Sequence, residues 1–332
     1  MAPVEWPIAA ASKEEGPAPA RGAEGDRLPT VRADLLLDPA LRLTEQERAF
    51  MTGMMADLVD LVVDEITAAG GLNDNGPSRP LFDRLRSARL LDIPELLAVI
   101  LRRAEEERLC SALRAPSQAT KSHFLHALAA DADESIASAA MALVLGRSRR
   151  RDRFGGPRVL LDDLPAEAAV AFVHAVAAAV GENRGDHRSA CRGAQTLLAQ
   201  HDEGRRLEAL GFALVHALES ANRLDEHVLR SAMADGEIAL LLESLSRTGG
   251  IGFDSCWTAL HSTGGLAMLL RIGGFSRPFA AETIAALGDL LPAGAAGEME
   301  YFDHIDDLKA GHARDRLRLN PTYRAALAAL AV

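Results

Sequence analysis

Apolar residues recur every three or four positions along most of this 332-residue chain, broken only by short polar, glycine- or proline-bearing stretches. Such spacing lays one stripe along one face of a helix. The clearest instance runs from Ala130 to Gly181, where DADESIASAAMALVL and LDDLPAEAAVAFVHAVAAAVG flank an arginine-rich insertion. In the first segment Ile136, Ala140, Leu143 and Val144 share a face. Asp131 and Asp133 are placed to accept the free N–H groups of its opening turn. In the second segment Val170, Val173, Ala177 and Val180 form one stripe, and Phe172, Val176 and Ala179 another. Asp163 is its expected cap, Pro165 suits a first turn that has no N–H to lose, and Glu167 suits the positive end of the dipole. A helix apolar on most sides is buried between neighbours, and alanine fits a pleated sheet poorly. The stretch predicts a helical hairpin of the kind that stacks into an α-solenoid.

The same reading extends along the chain. Thr44-Glu45-Gln46-Glu47 is a capping box that opens a helix to about Ala69, with Phe50, Met54, Leu58, Leu61 and Ile66 inward. Gly70–Pro80 reads as a loop, and a helix follows from Leu81. Asp92-Ile93-Pro94-Glu95 starts another that runs to about Arg114, and Pro116 ends it. Further helices are expected near Ser117–Ala130, His187–Gln200, Gly204–Asn222, Glu226–Ala234 and Glu237–Arg247. Beyond these, Gly249-Gly250, Gly264-Gly265 and Gly273-Gly274 punctuate the chain, as glycine pairs do where helices close. Shorter helices are expected at about Asp254–His261, Leu266–Ile272, Arg277–Leu291, Glu298–Ala310 and Asn320–Ala329.

Leu125-His126-Ala127-Leu128, Val173-His174-Ala175-Val176 and Val215-His216-Ala217-Leu218 share one pattern, with histidines 48 and then 42 positions apart counted from their numbers. Helix-pair repeats of the HEAT and armadillo type run to about 40–47 residues. The expected fold is therefore all-α, a HEAT-like α-solenoid of stacked helical hairpins. Residues 1–29, rich in Ala, Pro, Gly and Glu, predict a disordered tail. Residues 30–235 form the helical repeat region, and 236–332 a region of shorter helices packed on it.

Composition narrows the function. The chain is 48% hydrophobic but only 4% aromatic, so its core is built of alanine and leucine. A formal net charge of −11 disfavours nucleic-acid binding over a broad face, because neutralising phosphates needs a basic surface. Cys110, Cys191 and Cys256 lie far apart and read as reduced thiols of a cytoplasmic protein, with no disulfide frame or zinc spacing. The N-terminus lacks the pattern of a signal peptide, and no apolar run approaches the ~20 residues of a membrane span.

Two features carry candidate chemistry. Arg147, Arg149, Arg150, Arg151, Arg153 and Arg158 crowd the turn GRSRRRDRFGGPR. Guanidinium groups suit bidentate contacts with carboxylates or phosphates, although some of these arginines are expected to pair with the protein's own acids. Phe154 is the one aromatic residue in the turn, which weakens a stacking-based nucleic-acid reading. His126, His174 and His216 would line one face if the repeat is regular, and their charge near pH 6.5 could tune binding. His201-Asp202-Glu203 and His304-Ile305-Asp306-Asp307 are adjacent rather than face-sharing, so no metal is expected. No HExxH, P-loop, GxSxG or kinase signature occurs, and no cofactor is expected.

The segments LTEQERAFMTGMMADLVDLVVDEI, LLDDLPAEAAVAFVHAVAAAV, QHDEGRRLEAL and RLDEHVLRSAMADGEIALLLESLSRTGGI carry a resemblance. The chain resembles the bacterial family catalogued as domain of unknown function 2336, mostly alphaproteobacterial, over roughly residues 30–330. The resemblance implies a HEAT-like helical protein of the bacterial cytoplasm and brings no catalytic residues with it. The expected function is a non-enzymatic interaction module or regulatory scaffold with a protein partner. Two rivals are a nucleic-acid-associated HEAT-type protein using the Arg147–Arg158 turn, and a small-ligand-binding or lyase-like HEAT protein.

Overall fold

Thr44 and Glu47 cap each other across the first turn: the Thr44 hydroxyl accepts from the Glu47 N–H at 3.1 Å, and the Glu47 carboxylate accepts from the Thr44 N–H at 2.7 Å. This reciprocal cap satisfies orphan N–H groups and opens α1 (Glu45–Gly70), which Gly71 closes in the left-handed conformation, φ 68°. The structure, a computed structural model, describes residues 43–72, 79–114, 123–291 and 294–330. Helices follow at α2 (Arg79–Ser87), α3 (Pro94–Arg114), α4 (Phe124–Ala129), α5 (Glu134–Arg149), α6 (Ala166–Arg184), α7 (His187–Leu198) and α8 (Leu207–Ser220). The remainder are α9 (Glu226–Ala234), α10 (Ile238–Gly249), α11 (Phe253–Leu260), α12 (Gly265–Ile272), α13 (Arg277–Leu287), α14 (Glu298–His304), α15 (Asp307–Arg318) and α16 (Pro321–Leu330). Among the described residues there is no strand, only an isolated bridge between Arg151 and Pro157. None of these helices is long and apolar enough to cross a membrane. The fold is all-α.

Short polar side chains start many of the helices, as their propensity to accept backbone N–H groups dictates. Asp133, Asp186, Asp225, Ser276 and Asp306 each accept from a first-turn N–H. Asp163 does not. It lies in a 3₁₀ turn (Leu161–Asp163) buried beneath α6, whose N-cap is Pro165. The expected helix Glu298–Ala310 is two, α14 and α15, because Asp306 takes extended dihedrals and caps a new helix. The expected tail and the first part of the predicted Ser117–Ala130 helix, residues 117–122, fall outside the described residues; α4 begins at Phe124.

The central stretch forms two helices, but they are not each other's main partners. α5 packs on α4 and α8, while α6 packs on α7, which in turn packs on α1. The physical reason is the connection. Sixteen residues, Arg150 to Pro165, carry their own bridge, 3₁₀ turn and buried ion pair, long enough to deliver α6 to another layer. α6 is also less enclosed than its two stripes suggest: Phe172, Val173 and Val176 are fully buried, whereas Val170 and His174 face solvent.

The buried apolar side chains fall into three clusters. The first joins α1, α2, the first half of α3, residues 159–164, α6 and α7, around Leu58, Ile66, Ile100 and Phe172. The second joins Leu109 and Cys110, near the end of α3, to α9 through α15, around Leu241, Leu270 and Phe279. The third joins α4, α5 and α8 with Ala232 and Leu240. Each wholly buried Leu or Phe contributes roughly 1.5–3 kcal/mol. Three helices belong to more than one cluster: α3 serves the first and second, and α9 and α10 the second and third.

Candidate functional site

Where α3 and α10 pass between clusters they carry charge. On α3, Arg103 and Glu106 are buried between Ile100 on one side and Leu109 on the other; on α10, Glu243 is buried beside Leu242. Arg103 donates to Glu106 at 2.6 Å and to Glu208 of α8 at 2.9 Å, and lies 3.8 Å from Asp163. Arg102 adds a second guanidinium to Glu208 at 3.3 Å. From the end of α5, Arg147 pairs with Glu237, the buried residue that precedes α10. These side chains form a buried charged hub at the junction of the three clusters. Burying a charge is tolerated only when partners replace its water, and the hub supplies most of them internally.

Arg150 anchors the basic turn to this hub. Its Nε donates to both Asp163 oxygens at 2.9 and 2.8 Å, Nη1 to the Gly146 carbonyl at 2.9 Å and Nη2 to the Arg205 carbonyl at 2.8 Å. Asp163 further accepts from the Leu160 N–H at 3.0 Å. A guanidinium forked on one carboxylate is among the stronger and more directional polar contacts. Here it fixes the last turn of α5, the 3₁₀ turn and the loop before α8 as one piece.

Titration within the hub follows from this wiring. Burial pushes the Glu208 carboxyl up, but Arg103 and Arg102 outweigh it and hold the pKa at about 2. Burial likewise opposes the charge on Arg103, and Glu208, Glu106 and Asp163 overcome it, raising its pKa. Glu243 is different. Burial, then the charges of Glu208 and Glu106, drive its pKa well above the ordinary value against the pull of Arg147 and Arg103. It has no ion pair within 4.0 Å among the described residues, and its Oε2 has no hydrogen-bond partner. It occupies the space a side chain at 211 would need: a Cβ on Gly211 would run into the Glu243 carboxyl. A small void of about 10 Å³ adjoins it, lined by Glu106, Glu208, Arg103 and Arg147 among others. A polar void of that size is at the lower limit for one water molecule.

Above the hub opens a groove of about 980 Å³. α3 gives Arg103, Glu106, Glu107, Cys110, Ser111 and Arg114; α4 and its cap give Leu125, His126 and His123. The end of α5 and the turn give Val144, Arg147, Ser148, Arg150, Arg151, Pro157 and Arg158, and the α9–α10 junction gives Asp235 and Glu237. Gly236, in the left-handed conformation at φ 76°, packs against the Cys110 carbonyl and Arg114, so this junction requires the missing Cβ. Cys110 is buried and its thiol is pushed up to about 12, first by burial and then by Glu106, which makes it a poor nucleophile.

The structure thus gathers four of the candidate arginines and one of the candidate histidines into one groove. Arg147, Arg150, Arg151, Arg158 and His126 line it. Arg151 pairs with Glu107 at 2.6 Å, and Arg158 pairs with Asp57 of α1. Arg149 instead borders a separate depression with Glu65, Asp162 and His201. Arg153 lies over the Phe154 ring, 4.7 Å from its centroid, at the exposed tip of the turn. His174 and His216 do not line the groove. All three repeat histidines are exposed beside a buried Leu or Val, but His126 faces the His123 ring at 5.9 Å while His216 sits 3.5 Å from Arg247. His201 and Glu203 tie loops together: His201 Nε2 bonds the Leu164 carbonyl and Glu203 accepts from the Ala166 N–H.

Residues for which the sequence raised no expectation complete the site: Arg103, Glu106, Glu208, Glu237, Glu243 and Arg114. The one available signal was a charged pair, Arg103 and Glu106, on the inward face of a helix whose neighbouring inward positions are apolar. No family model, curated protein or solved structure matches the chain.

Proposed function

We propose that the protein is a non-enzymatic interaction module that receives a segment of a partner protein in the groove above the charged hub. The observation that carries this reading is the convergence of the basic turn, the end of α3, the start of α4 and the α9–α10 junction on one 980 Å³ depression. Its side chains are held in place by carboxylates behind them. Fixed guanidiniums on packed helices are suited to recognition, since little ordering remains to be done on binding. A reaction would need an activated nucleophile or an acid–base pair facing the groove, and the thiol there is suppressed. The nucleic-acid reading is weakened because the chain's net charge is −11 and Phe154, the one aromatic of the turn, lies outside the groove wall.

We keep the HEAT-like solenoid, cytoplasmic location and membership of the domain of unknown function 2336 family as parts of this proposal. The sequential pairs α4–α5 and α6–α7 support a helix-pair repeat, while the packing of α5 on α8 departs from a regular stack.

Ser111 and Ser148 are exposed in the groove, and Thr196 is exposed on α7 away from it. Affinity purification from the native host, read by mass spectrometry, should recover a partner with the unaltered chain and with Thr196→Trp. The same partner should be lost with Ser111→Trp and Ser148→Trp. Equal recovery by all four proteins contradicts the proposal.

A further inference from the structure

The groove has more hydrogen-bond donors than acceptors. Six arginines line it against four carboxylates, in a chain whose net charge is −11. A guanidinium carries five N–H donors and no acceptor, so one carboxylate partner leaves several unused. Two of these donors, the Nε groups of Arg103 and Arg147, are buried without any acceptor among the described residues. Arg103 is 6% exposed and lines both the groove and the void beneath it. At the mouth, Arg114 and Arg151 are the most exposed of the paired arginines. Arg114 donates its Nε to the Asp235 carbonyl at 2.7 Å but meets Glu237 only at 3.8 Å, a loose contact that an incoming oxyanion can better. His123 and His126 stand beside them, and Leu125, Val144 and Leu207 give apolar wall between the charges.

We propose that the groove takes an acidic peptide segment, its carboxylates held by Arg114 and Arg151 and its apolar side chains laid on Leu125, Val144 and Leu207. This deepens the interaction reading above and rests on it. Guanidinium forks match carboxylates in planar, bidentate fashion. A nucleic acid fits less well: Phe154, the exposed aromatic of the turn, is not part of the groove wall, so bases have no ring there to stack on beyond the two histidines. The acidic surface outside the groove also repels a long polyanion.

The test is selection of a random peptide library on the full-length chain, followed by anisotropy titration of the enriched peptides. The expected result is peptides with two or more Asp or Glu beside a large apolar residue. Their affinity should fall at least tenfold when those acids become Asn or Gln, and at least tenfold on Arg114→Gln/Arg151→Gln. It should also weaken as salt rises from 50 to about 300 mM, as screening requires. Reading the peptide variants against the unaltered chain keeps the test decisive if the double variant folds poorly. Enriched peptides that lack acids, or acidic ones indifferent to both sets of changes, overturn the acidic class while leaving an interaction groove in place. Tighter binding of a single-stranded oligonucleotide than of any peptide overturns it in favour of nucleic acid. Failure to enrich any peptide overturns both readings.

Discussion

Arg150 holds Asp163, thirteen positions further along the chain, through a fork buried so deeply that the two side chains are 5% and 0% exposed. The turn that looks most like a loose basic loop in the sequence is therefore clamped at both ends. Breaking such a pair strands a charge. Arg150→Ala or Asp163→Ala should each lower unfolding free energy by about 3–5 kcal/mol, whereas Arg150→Met/Asp163→Leu should be much closer to the unaltered chain. Urea denaturation of the three variants checks this. Equal losses in singles and double would mean the pair acts through its shape rather than its charge.

Glu243 should make the protein less stable as pH rises. Its pKa is raised on folding, so its penalty is absent below the unfolded value near 4.5 and grows as pH climbs from there toward the folded value. Glu243→Gln, which cannot ionise, should match the unaltered chain near pH 4.5 and exceed it in urea melts at pH 8 by about 1 kcal/mol or more. A variant weakened equally at both values would show that the carboxyl makes contacts that glutamine cannot.

Glu208 works in the opposite sense. Its pKa is depressed to about 2, so its stabilisation is full above the unfolded value near 4.5 and is lost as pH falls from there toward 2. The shift corresponds to about 3 kcal/mol. Acid titration followed by circular dichroism should show that Glu208→Gln removes part of the stability difference between pH 6 and pH 3. An unchanged difference would contradict the assignment.

Gly211 leaves room for Glu243. Gly211→Ala should cost about 1–3 kcal/mol, as overpacking does, despite alanine's better helix propensity. The cost should shrink in the Glu243→Ala background. Additive losses in the double variant would place the strain elsewhere.

Cys191 is exposed, while Cys110 and Cys256 are buried with thiols pushed up to about 12. A thiol-disulfide reagent at pH 8 should modify one cysteine per folded chain quickly and all three only in denaturant. Rapid modification of three thiols in the folded chain would mean the second apolar cluster opens readily.

The helices were legible because local chemistry decides them. Thr44 with Glu47, Asp133 before Ile136 and Gly250 after Arg247 each announce an end through contacts within a few residues. The partners of those helices were not. Periodicity says that α5 has an apolar face but not that α8, rather than α6, covers it. Arg103, Glu208 and Glu243 lie far apart in sequence, and nothing local marks them as one hub. The repeat at His126, His174 and His216 reports helical phase correctly, with each histidine exposed beside a buried aliphatic, yet only His126 reaches the groove.

Amide hydrogen exchange of the full chain, free and bound to the partner recovered from its host, measures the central claim most directly. The groove account predicts slowed exchange concentrated in residues 107–114, 144–158 and 234–237, with α6 and α7 unchanged. Protection confined to α6 and α7, with those three segments exchanging as in the free chain, would contradict it.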